Sequence, residues 1–168
     1  MKPPVPSPRL LGSPVTLPAL PDPRFGSRVC RMDSIELRVV GEPPRKGEAR
    51  SMLREGHGHS PRVRALLAAA LEARQATGFG GFGRRRIGID VTLRPVRPAV
   101  PAAGDATNTL GGIGDALQSN RVNVDLSYLG DLANAFLYDD DAQIREVRYR
   151  EGPGAIGYTV RLWALPQP

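Results

Sequence analysis

The order of strand-like and helix-like segments after residue 31 limits the folds that this chain can adopt. Residues 35–40 alternate between charged and β-branched or aliphatic side chains, which predicts a first strand. Ser60 as N-cap and Pro61 at the first helical position begin a predicted helix over 62–75. Residues 84–93 predict a second strand, because their apolar side chains recur at every second position.

The second half of the chain continues this alternation and then ends in strands. In order, the sequence predicts a helix at 105–119, a short edge strand at 122–126, a short helix at 128–135, a strand at 143–149 and its hairpin partner at 158–163. The order β-α-β-α-β-β is typical of the α+β class. We therefore expect a two-layer sandwich, a mixed β-sheet with helices packed on one face.

Eight of the 17 prolines lie in residues 1–31, which predicts a disordered, Pro-rich N-terminal lead before one domain at 32–168. Met32 opens the folded-looking sequence and is an alternative start. Cys30 is the only cysteine, so no internal disulfide can form, which fits a reducing compartment. No secretory signal and no membrane span are predicted, because no apolar run approaches the roughly 18 residues that a span needs. The cytoplasm is the expected location.

The net charge of +6 is unevenly distributed along the chain. Residues 45–97 hold twelve Lys or Arg against four acids, whereas residues 98–146 hold two Arg against eight acids. A basic half followed by an acidic half suits a metal-dependent nucleic-acid enzyme, with arginines for phosphates and carboxylates for the ion. Scattered, solvated charge in an arginine-rich composition explains the same asymmetry equally well.

The predicted helix at 105–119 has one apolar face and one face of small and oxygen-bearing side chains. Asp105, Asn108, Gly112 and Asp115 share the second face, and the acidic run Asp139-Asp140-Asp141 follows later. The two features together suggest a divalent metal held near a phosphate. The ordinary alternatives are a helix N-cap for Asp105 and a solvated turn for the acidic run. The helix glycines cost roughly 1 kcal/mol each against alanine, so we expect a close backbone approach or tertiary support there.

The motifs Asp105-Ala106-Thr107-Asn108, Asp115-Ala116-Leu117 and Asp140-Asp141-Ala142-Gln143-Ile144 occur in this order, behind the loop Val40–Gly47. Together they resemble the RusA-type Holliday junction resolvases, and the similarity covers about residues 34–164. The resemblance implies a RusA-like domain that acts as a Mg²⁺-dependent endonuclease. It also implies a homodimer that cuts branched DNA (four-way junctions) in recombination and repair.

The resemblance also implies roles for single residues. Asp105 and Asp141 match the catalytic, metal-binding aspartates, Asp140 supports them, and Asn108 and Asp115 match positions of the helix motif. Thr107 stands where the family has a second aspartate, and Gly111 where it has a catalytic lysine. One of Arg84, Arg85 or Arg86 would then have to replace that lysine. The alternatives are a DNA-binding module with weakened catalysis and a structural dimer of mobile-element origin that retains no role with DNA.

Two basic clusters are candidates for DNA contact, with a solvated loop as the plainer alternative for each. Their members are Arg45, Lys46 and Arg50 in the first cluster and Arg84, Arg85 and Arg86 in the second. Phe79 and Phe82 could stack on bases or anchor the glycine-rich run 78–83 to the core. That run lacks the Lys-Ser/Thr of a phosphate loop, so no nucleotide cofactor is expected. His57 and His59 are expected in a mobile loop rather than at a metal.

Overall fold

A four-stranded mixed sheet forms the framework of the computed structural model, which describes residues 33–46, 52–94, 105–119 and 125–166. These residues lie within one compact unit, Arg31–Pro168. The strands are β1 (Ser34–Val40), β2 (Ile87–Arg94), β3 (Ile144–Glu151) and β4 (Gly157–Ala164), and their order across the sheet is β1-β4-β2-β3. β4 is antiparallel to both of its neighbours, whereas β2 and β3 are parallel.

Two α-helices accompany the sheet, α1 (Ser60–Thr77) and α2 (Ala106–Leu117). α1 begins one residue earlier than expected, because His59 rather than Ser60 is the N-cap. The Ser60 hydroxyl donates to the Arg54 carbonyl instead. At the other end Gly78 adopts φ 67°, the left-handed conformation that commonly terminates a helix. The predicted helix at 62–75 is thus confirmed with slightly wider bounds.

The core lies on one side of the sheet. Odd-numbered residues of β1, such as Leu37, and even-numbered residues of β4, such as Val160, are buried, while their neighbours along each strand are more exposed. Val63, Leu66, Leu67 and Ala70 of α1 are also buried, and α1 packs on β1. Because successive strand side chains point to opposite faces, the described helices cover only one face. The expected α+β two-layer sandwich with a mixed sheet is confirmed.

The expected hairpin between the last two strands is wrong. β3 pairs only with β2, in parallel, and β4 lies on the other side of β2. The connection at 152–156 therefore crosses the end of β2, where the Gly152 amide donates to the Leu93 carbonyl. Composition and burial agree with this order: five of the eight residues of β3 are charged, which suits an edge, whereas β2 is buried along most of its length and suits the centre.

The predicted short helix at 128–135 is a 3₁₀ helix, Ser127–Asn134, interrupted at Gly130, which has φ 58°. A second 3₁₀ turn, Asp141–Gln143, joins the acidic run to β3. The predicted lead at 1–31, Arg50 and most of the predicted edge strand at 122–126 lie outside the described residues. In the part of the chain that is described, no helix is long and apolar enough to cross a membrane.

Candidate functional site

The loop after β1 rests directly on the glycines of α2. A side chain at Gly112 would collide with the carbonyl of Pro44 and lie 2.7 Å from Cα of Arg45. The Lys46 amide donates to the Asn108 carbonyl at 2.9 Å, which fastens the end of the loop to the helix. The close backbone approach expected from the helix glycines is therefore present at Gly112.

Lys46 extends from this loop across the surface of α2. A Cβ atom at Gly111 would lie 3.2 Å from Cδ of Lys46, so the lysine side chain covers that glycine. Its Nζ atom reaches Oδ2 of Asp115, one turn further along the helix, at 3.2 Å. The Asp115 side chain is 22% exposed and that of Lys46 is 61% exposed. The ion pair thus lies at the surface and leaves the ammonium open to solvent.

Lys46 and Asp115 line one groove of about 280 Å³ between α2 and β3. Apolar side chains make up much of its lining, together with a few polar and charged residues. The lining residues are Lys46, Ile89, Thr107, Leu110, Gly111, Gly114, Asp115, Asp141, Ile144 and Val147. The groove therefore gathers Thr107, Asp115 and Asp141, three residues that the sequence resemblance selected, around one lysine.

Asp141 lies at the groove because hydrogen bonds hold the 3₁₀ turn that contains it. The Asp141 amide donates to Oε1 of Gln118, just after α2, at 3.0 Å. Asp140 caps the 3₁₀ turn, with Oδ1 accepting from the Ala142 amide at 2.8 Å. The Asp141 carboxylate is exposed and accepts no hydrogen bond from any described residue. Of the acidic run, Asp141 is thus the member that lines the groove.

Gln143 holds the acidic turn to the turn that precedes β2. Its Oε1 accepts from the Asp139 and Asp140 amides at 2.8 Å each. Its Nε2 donates to the carbonyls of Gly83 at 2.6 Å and Arg85 at 2.7 Å. The capping-box spacing from Asp140 to Gln143 was visible in the sequence, and it signals this arrangement. The link to residues 83–86 could not be read from the sequence.

Asp105 is the N-cap of α2. Its Oδ1 accepts from the Asn108 amide at 2.7 Å, and its Oδ2 accepts from Nδ2 of Asn108 at 3.3 Å. Asp105 does not appear among the residues that line the groove. The ordinary alternative for this residue is therefore realised, and its assignment as a metal ligand stays a prediction.

The arginines before β2 differ from one another in their surroundings. Arg85 forms an ion pair with Asp33 at 2.9 Å, and its guanidinium lies 5.4 Å from the Phe82 ring centre. Arg84 and Arg86 are exposed. None of the three lines the groove, whereas Lys46 does, and the replacement of the missing lysine by one of these arginines stays a prediction. Phe82 and its neighbour Phe79 are buried, with ring centres 4.7 Å apart, and anchor the glycine-rich run.

Beside Lys46, Arg45 is held against the α1 N-terminus and β3. Its amide and carbonyl both lie within hydrogen-bond distance of Nδ1 of His59, at 3.3 and 3.1 Å. Tyr149, two residues beyond Val147 on β3, donates its hydroxyl to Glu151 at 3.0 Å. Burial first, and then the Glu151 carboxylate, raise the pKa of Tyr149 to about 12, while the Arg45 charge opposes this. Sequence reasoning missed Tyr149, since its position beside Arg45 depends on the parallel pairing of β3.

Among the described residues, no group of three or more His, Cys, Asp or Glu side chains is arranged to hold a metal. His57 and His59 form an edge-to-face pair, and His59 serves the backbone of Arg45 instead. No family model matches the chain, and no curated protein is significantly similar to it.

Proposed function

We propose that this protein is a RusA-like endonuclease that cuts branched DNA in recombination and repair. The observation that supports it best is the groove beside α2, where Lys46 lies over Gly111 and pairs with Asp115. In the family that the sequence resembles, a lysine projects from the helix at the position of Gly111. Here the loop lysine brings an ammonium to the same part of the helix surface. The residue that the motif lacks is thereby replaced from another segment.

The oxygen atoms of the groove suit a hard divalent cation. Mg²⁺ takes near-octahedral oxygen ligands and commonly uses one or two carboxylates, with waters and substrate phosphate completing the shell. Asp141 and Asp115 are the carboxylates that line the groove, and Thr107 adds a hydroxyl. Asp141 is best suited to hold the ion, because its carboxylate accepts no hydrogen bond from the described part of the chain. When bound, Mg²⁺ would supply Lewis-acid polarisation of the phosphate and an activated water.

The charges of this chain explain how a phosphate would be accepted. Lys46 is well exposed in its pair with the half-buried Asp115, and an ion pair that is open to solvent contributes little stability, so a phosphate oxygen can take Lys46 from Asp115. The ammonium would then face the charge that develops on phosphorus during hydrolysis. Asp115, released from the lysine, would add a second carboxylate beside Asp141.

Further basic residues would bind the DNA backbone outside the groove. Arg45 precedes Lys46, and Arg84 and Arg86 are exposed on the turn that Gln143 fastens beside Asp141. Arg85 is engaged with Asp33 and would contribute less. Branched DNA has twofold-related arms, so a homodimer would place one groove at each of two symmetric strands.

A second candidate function is a DNA-binding module without cleavage. The observation that favours it is the engagement of Asp105, whose two carboxylate oxygens both accept hydrogen bonds from Asn108. With Thr107 in place of an aspartate, only Asp115 and Asp141 remain as carboxylates of the groove. Such a protein would still hold branched DNA through Lys46 and the neighbouring arginines.

The experiment incubates a labelled four-way junction with the protein, with and without Mg²⁺, beside Asp141→Asn and the matched control Asp131→Asn. Asp131 is exposed on the 3₁₀ helix and lies outside the groove lining. We expect Mg²⁺-dependent cleavage by the protein and the control, and a loss of about 100-fold or more in Asp141→Asn. Salt-sensitive binding without cleavage would favour the module, and absence of both would refute the resemblance as a guide to function.

A further inference from the structure

The sheet face that the described helices leave uncovered carries one tryptophan. Trp163 of β4 is paired with Gly88 of β2, and a side chain at Gly88 would collide with the indole, lying 2.8 Å from Cη2. The indole therefore lies over the bare backbone of the central strand. Trp163 is the only tryptophan of the chain. An aromatic ring thus stands on the open face at a place that β2 leaves free for it.

Arginines surround this ring. The guanidinium of Arg148 on β3 lies 5.3 Å from the indole centre, and the Arg148 side chain is 65% exposed. Arg161, two residues before Trp163 on β4, points to the same face and is exposed. It takes part in no ion pair among the described residues, although Glu36 and Asp90 lie opposite it on β1 and β2.

The whole face is cationic. Five arginines stand on it against three acids: Arg38, Arg94, Arg148, Arg150 and Arg161 against Glu36, Asp90 and Glu146. Three of the arginines are paired with these acids, and two of the three pairs are well exposed. Exposed pairs of this kind are weak and exchange readily for another anion. Two arginines remain as uncompensated charge.

The chemistry of the face favours a nucleic acid over a protein as its occupant. The centres of protein interfaces are depleted of charged residues, whereas the centre of this face is charged. Surfaces that bind single strands combine a π-face for a base with cations for the backbone. We propose that the open face binds single-stranded nucleic acid, with a base stacked on Trp163 and phosphates held by Arg161 and Arg148.

Arg148 lies where a nucleic-acid base can replace its guanidinium on the indole of Trp163. A cation–π contact at an exposed site is weaker than a stacked base, so the base takes the indole and Arg148 turns to a phosphate. The 3.7 Å separation from Glu146 leaves Arg148 only loosely held on its own strand. The site is separate from the groove, because the two lie on opposite faces of the sheet, and it does not depend on catalysis there.

The single tryptophan makes the test direct. A short oligothymidylate is titrated into the full chain, and the Trp163 emission is followed at several salt concentrations. We expect quenching, with affinity that falls as salt rises. Arg161→Glu is expected to lower the slope of log affinity against log salt by about 0.7, the share of one phosphate contact. Arg64→Glu on α1 is the matched control, since it makes the same charge change on the helical side.

Trp163→Leu is followed with a labelled oligonucleotide, because it has no tryptophan emission, and we expect affinity to fall about tenfold. If this variant unfolds, Arg161→Glu still decides the question. Unchanged emission on adding the oligonucleotide would overturn the proposal, and so would equal effects of Arg161→Glu and Arg64→Glu. Binding that Lys46→Ala abolishes while Arg161→Glu leaves it intact would assign the contact to the groove. Emission that depends on protein concentration alone would assign the face to self-association.

Discussion

The Nζ atom of Lys46 lies 3.2 Å from Oδ2 of Asp115, and the side chain that carries it crosses Gly111. A loop residue and a helix residue nearly seventy positions apart in sequence therefore form the charged edge of the groove. Three features make the contact: the loop amide bonded to Asn108, the bare Gly111 under the lysine stem, and the close approach at Gly112.

Moving the lysine from the loop to the helix should restore part of its function. We expect Lys46→Ala to lower junction cleavage about 100-fold, because it removes a cation that faces the phosphate. Adding Gly111→Lys to that variant should recover about tenfold or more, since a helix lysine at 111 can pair with Asp115 at i+4. The control is Lys46→Ala with Gly111→Ala, which restores no amine. Equal cleavage rates of the two double variants would contradict the role of Lys46.

The two neighbouring glycines should respond oppositely to alanine. At Gly112 the new methyl group meets the backbone of Pro44 and Arg45, which cannot move aside. Such overpacking costs about 1–3 kcal/mol and exceeds the gain of roughly 1 kcal/mol in helix propensity. At Gly111 it meets only the flexible Lys46 side chain, so Gly111→Ala should be neutral or stabilising. Urea unfolding of both variants measures the difference; a stabilised Gly112→Ala would refute the close approach.

Two substitutions of Asp105 can distinguish its role as a helix N-cap from a role as a metal ligand. Asp105→Ala should lower the free energy of unfolding by about 1 kcal/mol, because it removes the N-cap of α2. Asp105→Asn should cost only a few tenths of that, as asparagine caps equally well. Thermal unfolding checks both values. A junction assay on the stable Asp105→Asn variant then tells whether the carboxylate has a further role as a metal ligand.

The stability of the fold should depend on the amide group of Gln143. Gln143→Glu keeps the shape of the side chain but turns the donor that serves Gly83 and Arg85 into an acceptor facing two carbonyls. We expect it to destabilise the fold by about 2 kcal/mol or more, because it leaves polar groups unpaired. Gln75→Glu is the control, since Gln75 is exposed on α1 and its side chain makes no hydrogen bond among the described residues. Comparable unfolding free energies for the two variants would contradict a stabilising role of the hydrogen bonds from Gln143 to Gly83 and Arg85.

Alkaline pH should weaken the fold through Tyr149. Its pKa in the folded protein is about 12 against 10.0 in the unfolded chain, so its contribution is fully present below pH 10 and is lost as pH rises toward 12. Burial also raises the pKa of Tyr158, which acts in the same direction. Unfolding free energy measured between pH 9 and 12 should fall less steeply in Tyr149→Phe. An identical slope in the variant would exclude Tyr149 as a source.

Local patterns were sufficient to predict most elements. The alternation at 35–40, the Pro61 start of α1 and the periodicity of α2 each depend on neighbours in sequence, and each element is present with bounds shifted by a few residues. The hairpin prediction failed for β3 and β4, because adjacency in sequence favours pairing but does not decide it. The charged residues of β3 suit an edge of the sheet, whereas the largely buried β2 lies between two neighbours.

The candidate site too was predicted only in part from the sequence. Sequence patterns alone identify the available oxygen-bearing residues and predict that the α2 glycines need a close neighbour. Tertiary packing is needed to bring Lys46, rather than an arginine before β2, together with Asp115 and Asp141 in one groove. Strand order likewise places Trp163 on the open face. Contacts across loops and the order of strands depend on how whole elements pack, and no local spacing encodes that packing.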